Sequence, residues 1–209
     1  MNWSLRSIPE TGPSSIGACR ARHPSDASFR MVGDAGPFPP RSAFRCKGMA
    51  SPISKTAKGS GTWRFENARA LQSWGARLAR ILRPGDVVAL TGPLGAGKTT
   101  LVQAAVSALG SSRGATSPTF ALVHEYATRR GAVYHMDMYR LSPRELAAFP
   151  LEEYGDGICL IEWADRIRAR WPQDALDIRL TIQDAHTRNL EIQHPSKTWM
   201  QRLRSAFWR

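Results

Sequence analysis

Along this chain the spacing of apolar residues switches repeatedly between two, three-to-four and unbroken runs, and each switch marks an element. Thr62 to Phe65 alternates and predicts a short strand. Leu71, Trp74, Leu78, Ile81 and Leu82 then recur at spacings of three and four, which places them on one helix face. Asn67 stands where an N-cap is wanted, and Pro84-Gly85 ends the pattern. Asp86 to Thr91 is a short apolar run of buried-strand type, and Thr100 to Leu109 is a run of good helix formers stopped by Gly110. Phe120–Tyr126 and Ala132–Asp137, joined by Thr128-Arg129-Arg130-Gly131, predict a β-hairpin. Leu141 to Phe149 reads as a helix with Ser142 as cap and Pro143 at its first position. Ile158 to Ile161 is a buried strand, Leu176–Ile182 with Leu190–His194 a second hairpin, and from Ser196 a basic helix carries Trp199, Leu203 and Phe207 on one face. No internal repeat is visible.

Residues 1–60 lack this order. They carry seven Pro and six Gly with no sustained period, and Pro-Phe-Pro-Pro at 37–40 forbids regular structure there. A disordered or weakly docked basic extension is expected. Three readings stand open: an Arg- and Ser-containing transit peptide poor in acids, a functional basic tail, or a true start at Met49, which is favoured. The expected organisation is therefore an extension over 1–60, one domain over 61–194 and a basic amphipathic helix over 195–209.

Composition narrows the class only a little. A 42% hydrophobic share suits a globular core, and no apolar run approaches the roughly 18 residues needed to cross a bilayer. Cys19, Cys46 and Cys159 are odd in number and lack metal-like spacing, which fits a reducing, cytoplasmic setting. The net charge of +12 is split, with nine Lys/Arg against three Asp/Glu in 1–60 and twenty against fourteen beyond. Such a balance favours polyanions non-specifically and decides nothing alone.

The chemistry begins at residues 92–99, Gly-Pro-Leu-Gly-Ala-Gly-Lys-Thr, which match G-x-x-x-x-G-K-[ST] without exception. The glycines let backbone N–H groups converge on an anion, Lys98 reaches the β- and γ-phosphates, and the Thr99 hydroxyl suits Mg²⁺. A strand leads into this loop and a helix leaves it, so the helix N-terminus adds its own partial positive charge. The expected fold is α/β: a P-loop NTPase-like sheet flanked by helices, with mixed parallel strands and antiparallel hairpins.

A loop of this kind needs a second acidic site on a neighbouring strand. Glu162, after four apolar residues, stands at a strand's carboxyl end, where ligands bind in open α/β sheets. In His135-Met136-Asp137-Met138-Tyr139-Arg140, alternation puts His135, Asp137 and Tyr139 on one face and the methionines on the other. Asp137 can hold a metal-bound water or position an attacking one; its structural alternative is a contact to an Arg or the backbone. His135 alone reads as a packed or hydrogen-bonded histidine. In Thr116-Ser117-Pro118-Thr119-Phe120, two hydroxyls beside a rigid proline suit a γ-phosphate sensor, although such a turn is commonly only a loop.

Taken in order, Gly95-Ala96-Gly97-Lys98-Thr99-Thr100, Ser117-Pro118-Thr119-Phe120, His135 to Leu141 and Leu160-Ile161-Glu162-Trp163 resemble the TsaE family, the small ATPase of bacterial tRNA threonylcarbamoyladenosine biosynthesis. The likeness covers roughly residues 62–194. It implies that Gly95, Ala96, Gly97, Lys98, Thr99 and Thr100 hold the phosphates of ATP, and that Thr99 and Glu162 ligate Mg²⁺. By the same likeness Lys98, Asp137 and Glu162 carry the catalysis, Thr119 lies in a switch-like segment and Trp163 stands beside the nucleotide. The implied partners are the threonylcarbamoyl transferase and its paralogous subunit, with tRNA engaged indirectly and no membrane. Two positions depart from the family pattern: Pro93 replaces a usual acid, and Leu71 stands near a usual Thr, so no adenine pocket is assigned.

Two other functional classes fit the loop. A small-molecule kinase needs an Arg-rich lid, for which Arg166, Arg168 and Arg170 are candidates, although a solvated helix face is the better reading of them. A nucleotide-gated binding module needs occupancy without hydrolysis. A GTPase is disfavoured because no Asn-Lys-x-Asp motif is present. Direct RNA binding through the basic termini is a further reading, against which Trp199, Leu203 and Phe207 can pack the last helix onto the domain.

Overall fold

The computed structural model describes residues 54–55, 61–118 and 121–208. The expectations for the N-terminal extension, including Met49, and for Thr119 and Phe120 fall outside them. The strands are β1 (Ser54–Lys55), β2 (Gly61–Phe65), β3 (Val87–Thr91), β4 (Val123–Thr128), β5 (Gly131–Asp137), β6 (Ile158–Glu162), β7 (Leu176–Ile182) and β8 (Arg188–Gln193). The helices are α1 (Ala68–Ala79), α2 (Lys98–Ala108), α3 (Pro143–Ala148) and α4 (Lys197–Phe207), with 3₁₀ turns at Leu151–Tyr154 and Ala164–Arg170.

The described strands form one sheet in the order β1-β2-β8-β7-β3-β6-β5-β4. The middle four, β7-β3-β6-β5, are parallel, and the hairpins β4–β5 and β7–β8 extend the sheet antiparallel at each side. Every residue of β3 and of β6 is buried, as unbroken apolar runs covered on both faces require. Register aligns Leu90 with Glu162 and Asp137 with Glu162, so three carboxyl ends reach the same level at one edge.

Alternation along these strands builds two cores. Val88, Leu90, Leu160 and Val133 meet α1, α2 and α4, while Val87, Ala89, Met136, Cys159 and Ile161 meet α3 and the 3₁₀ turns. Helix α1 starts at Asn67, whose side chain accepts from Ala70 N at 2.9 Å, and buries Leu71, Trp74, Leu78 and Ala79. Helix α3 starts at the expected cap Ser142, which forms a complete capping box with Glu145. Helix α2 begins at Lys98, two residues earlier than its composition indicated, because the loop glycine itself serves as the N-cap. Strand β4 begins at Val123 rather than Phe120: Ala121 and Leu122 fold back onto the Pro118 carbonyl, and Leu122 takes a φ of 64°.

The last helix is part of the core. Trp199, Leu203 and Phe207 are buried, and Phe207 stacks on Trp74 at 4.8 Å between ring centroids. Arg202 pairs with Asp86 and lies over the Trp199 ring, and the Trp199 indole donates to the Asp174 carbonyl at 2.6 Å. Replacing Leu203 by Ala is expected to cost about 2–5 kcal/mol in urea unfolding, whereas replacing exposed Arg204 by Ala stays within about 0.5 kcal/mol. Equal, small effects at both positions would mean that α4 is not packed.

Candidate functional site

The site lies where β3, β5 and β6 end together. The loop after β3 runs to α2, and its glycines Gly92, Gly95 and Gly97 have φ values of 135°, 78° and 100°. At Gly97 a side chain is doubly excluded, since its φ is left-handed and an added Cβ would sit 2.5 Å from Leu71 Cδ2. Leu71 therefore closes against the loop from α1. From two strands away in the sheet, Arg188 Nε on β8 donates to the Gly95 carbonyl at 3.1 Å.

Lys98 is buried beneath this loop. Its ammonium donates to the carbonyls of Gly92 at 2.7 Å and Pro93 at 2.9 Å, and lies 3.8 Å from the centroid of the Trp163 ring. Loss of hydration lowers its pKa, while the carboxylates of Glu162, Asp137 and Asp165 pull the other way. Trp163 occupies a left-handed conformation with φ 55° at the end of β6, and its ring meets Tyr139 at 4.6 Å between centroids.

Glu162, the buried strand-end acid, is held from two sides. The Thr99 hydroxyl donates to its Oε2 at 2.9 Å, and His135 Nε2 contacts Oε1 at 2.7 Å. His135 is fully buried, and its Nδ1 has no partner among the described residues. The hydrogen therefore belongs on Nε2, where it meets the carboxylate; on Nδ1 it would be an orphaned buried donor. Asp137 accepts from Tyr139 N at 2.9 Å through Oδ1.

The structure thus brings Lys98, Thr99, Asp137, Glu162 and Trp163 to one edge, with Gly95, Ala96, Gly97 and Thr100 in the adjoining loop and helix start. Thr116, ahead of Ser117-Pro118, is tied to β4, where its N–H donates to the Tyr126 hydroxyl at 3.1 Å. The arginine triplet is spent on contacts within the fold: Arg166 donates to the carbonyls of Met138 and Tyr139, Arg168, itself exposed, pairs with Asp177, and Arg170 with Glu152. His135 and Arg188 are the contributors that sequence reading undervalued. Its two-residue spacing from Asp137 placed His135 on the correct face, whereas Arg188 reaches the loop only through the sheet order.

No group of three or more His, Cys, Asp or Glu side chains suited to a metal occurs among the described residues. Thr99 and Glu162 do offer hard oxygen atoms beside the loop. That pairing fits Mg²⁺, which binds a few protein oxygens and completes its shell with water and phosphate. Beside the loop a cleft of about 450 Å³ is lined by Asn67, Leu71, Gly97, Thr100, His186 and Arg188 among others. No helix among the described residues is long and apolar enough to cross a membrane.

Sheet order, loop and strand-end acid together define an α/β fold of the P-loop NTPase type. The family model described as threonylcarbamoyl adenosine biosynthesis protein TsaE matches residues 65–190, more than half of the chain. The chain belongs to the TsaE family, whose members take part in t6A tRNA biosynthesis. It is 41% identical over 118 residues to the tRNA threonylcarbamoyladenosine biosynthesis protein TsaE of Bacillus subtilis, covering 56% of this chain and 74% of that protein. It is 36% identical over 129 residues to that of Treponema pallidum, covering 60% and 95%. The crystal structure of YdiB from Bacillus subtilis superposes with a TM-score of 0.59 at 30% identity, over 70% of this chain and 93% of that one.

The two bonds to Glu162 predict a graded response at His135. Leu in its place leaves a buried carboxylate oxygen without its donor, for a loss of about 1–3 kcal/mol, while Gln, which keeps an N–H near the Nε2 position, recovers most of it. Denaturant midpoints that fall equally for both variants would count against the carboxylate bond.

Proposed function

We propose that this chain is a Mg²⁺-dependent ATPase that serves as accessory subunit in the threonylcarbamoyladenosine modification of tRNA, its hydrolysis resetting the modifying complex. The observation that carries this reading is the arrangement around Glu162: a P-loop Lys98 and Thr99 on α2 brought to a buried acid on β6, with Asp137 at the same level on β5. A loop that only bound phosphate would not need two oriented acids beside it.

In this reading the loop N–H groups from Gly95 to Thr100 and the N-terminus of α2 cradle the phosphates. Lys98 exchanges its carbonyl partners and the Trp163 face for the β- and γ-phosphate oxygens. Thr99 and Glu162 would hold Mg²⁺, which when bound neutralises charge on the phosphates. His135 keeps the Glu162 carboxylate turned toward Thr99. Asp137 orients the attacking water, whose oxygen bonds to the γ-phosphorus as the bond to the β-phosphate oxygen breaks; ADP leaves, and the water's proton passes to the acid or to solvent. Thr119 belongs to the segment that senses the γ-phosphate, Trp163 stands beside the nucleotide, and the cleft along α1 takes the base.

The partners are the threonylcarbamoyl transferase and its paralogous subunit. Support comes from the rim of the site, where Leu94, Tyr139 and Ile182 are the large apolar side chains left exposed among the described residues, Leu94 at 77%. Pro93, beside Leu94, replaces a family acid at that rim and is the position at which coupling to partners differs.

Steady-state phosphate release should be slow for the chain alone and rise when the transferase pair is added; an unchanged rate argues against the accessory role. Lys98→Ala and Glu162→Gln should each lower turnover about 10²–10³-fold. Modification activity that survives in Glu162→Gln while hydrolysis is lost would instead identify a nucleotide-gated binding module.

A further inference from the structure

We propose that the groove between α1 and α2 is an RNA-backbone surface, through which the protein contacts tRNA directly. This goes beyond the proposed function, in which tRNA meets the chain only through its partners. The groove encloses about 600 Å³ and is lined by Arg69, Gln72, Arg77 and Arg80 from α1 and by Gln103 and Ser107 from α2, over a floor of alanines. Arg69, Gln72 or Ser73, Ala76 and Arg80 follow one another at spacings of three and four, so they share one face of α1. At 1.5 Å per residue, Arg69 and Arg80 stand roughly 16 Å apart along the axis, a span suited to an extended anion rather than a single phosphate.

The charge around this groove is one-sided. The groove arginines Arg69, Arg77 and Arg80 have Glu66 before them in the chain and, after them, a single acid up to His124, Asp86. That acid is already committed, as Arg202 of α4 binds both of its carboxylate oxygens. No carboxylate lines the groove, so the arginines there add their potentials instead of cancelling. Arg77 also braces the fold by donating to the Ala206 carbonyl and lying over the Phe207 ring, so the variants are placed at the two ends of the groove, Arg69 and Arg80.

The same features select the occupant. The N-terminal 60 residues are themselves basic and would be repelled. A protein segment wants an apolar anchor, and the groove has only alanine, while the exposed Leu94, Tyr139 and Ile182 all lie at the nucleotide edge. Guanidinium, amide and hydroxyl groups together are the set that contacts phosphate and ribose. The basic tail is not the source of this surface, because α4 spends Trp199, Leu203 and Phe207 on the core and Arg202 on Asp86.

The test is fluorescence anisotropy of a labelled, unmodified tRNA transcript with the full chain between 50 and 200 mM salt, conditions that expose phosphate contacts. Binding should weaken with salt with a log–log slope of about −2 or steeper. Arg69→Glu/Arg80→Glu should weaken it at least about tenfold at the lower salt, and Arg69→Gln/Arg80→Gln, checked as folded by circular dichroism, should flatten the slope by about two. A Lys197→Glu/Arg204→Glu control on α4 should bind as wild type does. The proposal is overturned by absence of binding at low salt, by groove variants that bind like wild type, or by a polyglutamate peptide displacing the transcript at equal charge. These outcomes do not depend on ATP, so failure here and failure of the ATPase reading are told apart by the phosphate-release assay.

Discussion

One carboxylate holds the site together. Glu162 closes β6, receives a hydrogen bond from Thr99 at the start of α2 and another from His135 on β5, and so ties three separately coded elements to one point. A buried acid of this kind is tolerable only while both oxygens are satisfied, because an unpartnered carboxylate in the interior costs more than the bonds return. The parallel register of β3, β6 and β5 makes this possible by bringing Leu90, Glu162 and Asp137 level. Displacing β6 by a residue would turn the carboxylate toward the opposite core, and displacing β5 would turn His135 away from it.

Much of this was legible before any coordinates. The P-loop has a local signature, because its glycines, lysine and threonine act within eight consecutive residues. The unbroken apolar runs of β3 and β6 announced strands covered on both faces, and Asn67, Ser142 and Pro143 announced helix starts through their own hydrogen bonds. Glu162 and Asp137 were legible because each ends such a strand, at the edge where open α/β sheets bind ligands.

What escaped is non-local. Arg188 reaches Gly95 across 93 positions, and only the order β8-β7-β3 brings it there. His135 could be placed on the right face by alternation, yet its bond to Glu162 depends on the pairing of β5 with β6. The triplet of Arg166, Arg168 and Arg170 looked like a periodic helical set, but a kinked 3₁₀ turn points the three side chains at three different partners. The start of α2 was misjudged because glycine at the N-cap contributes backbone geometry rather than a capping side chain, a use that propensity does not register.

The position of Lys98 has a consequence for energetics. With its ammonium already on two loop carbonyls and an indole face, the loop supplies its own substitute for an anion. On the proposed reading, taking up phosphate would be a ligand exchange at the lysine, in which two carbonyl dipoles and a ring quadrupole give way to phosphate oxygens. The affinity of such a loop measures the difference between two coordinated, dehydrated arrangements of one cation. The carbonyls of Gly92 and Pro93 and the ring of Trp163 therefore set the starting level from which that difference is counted.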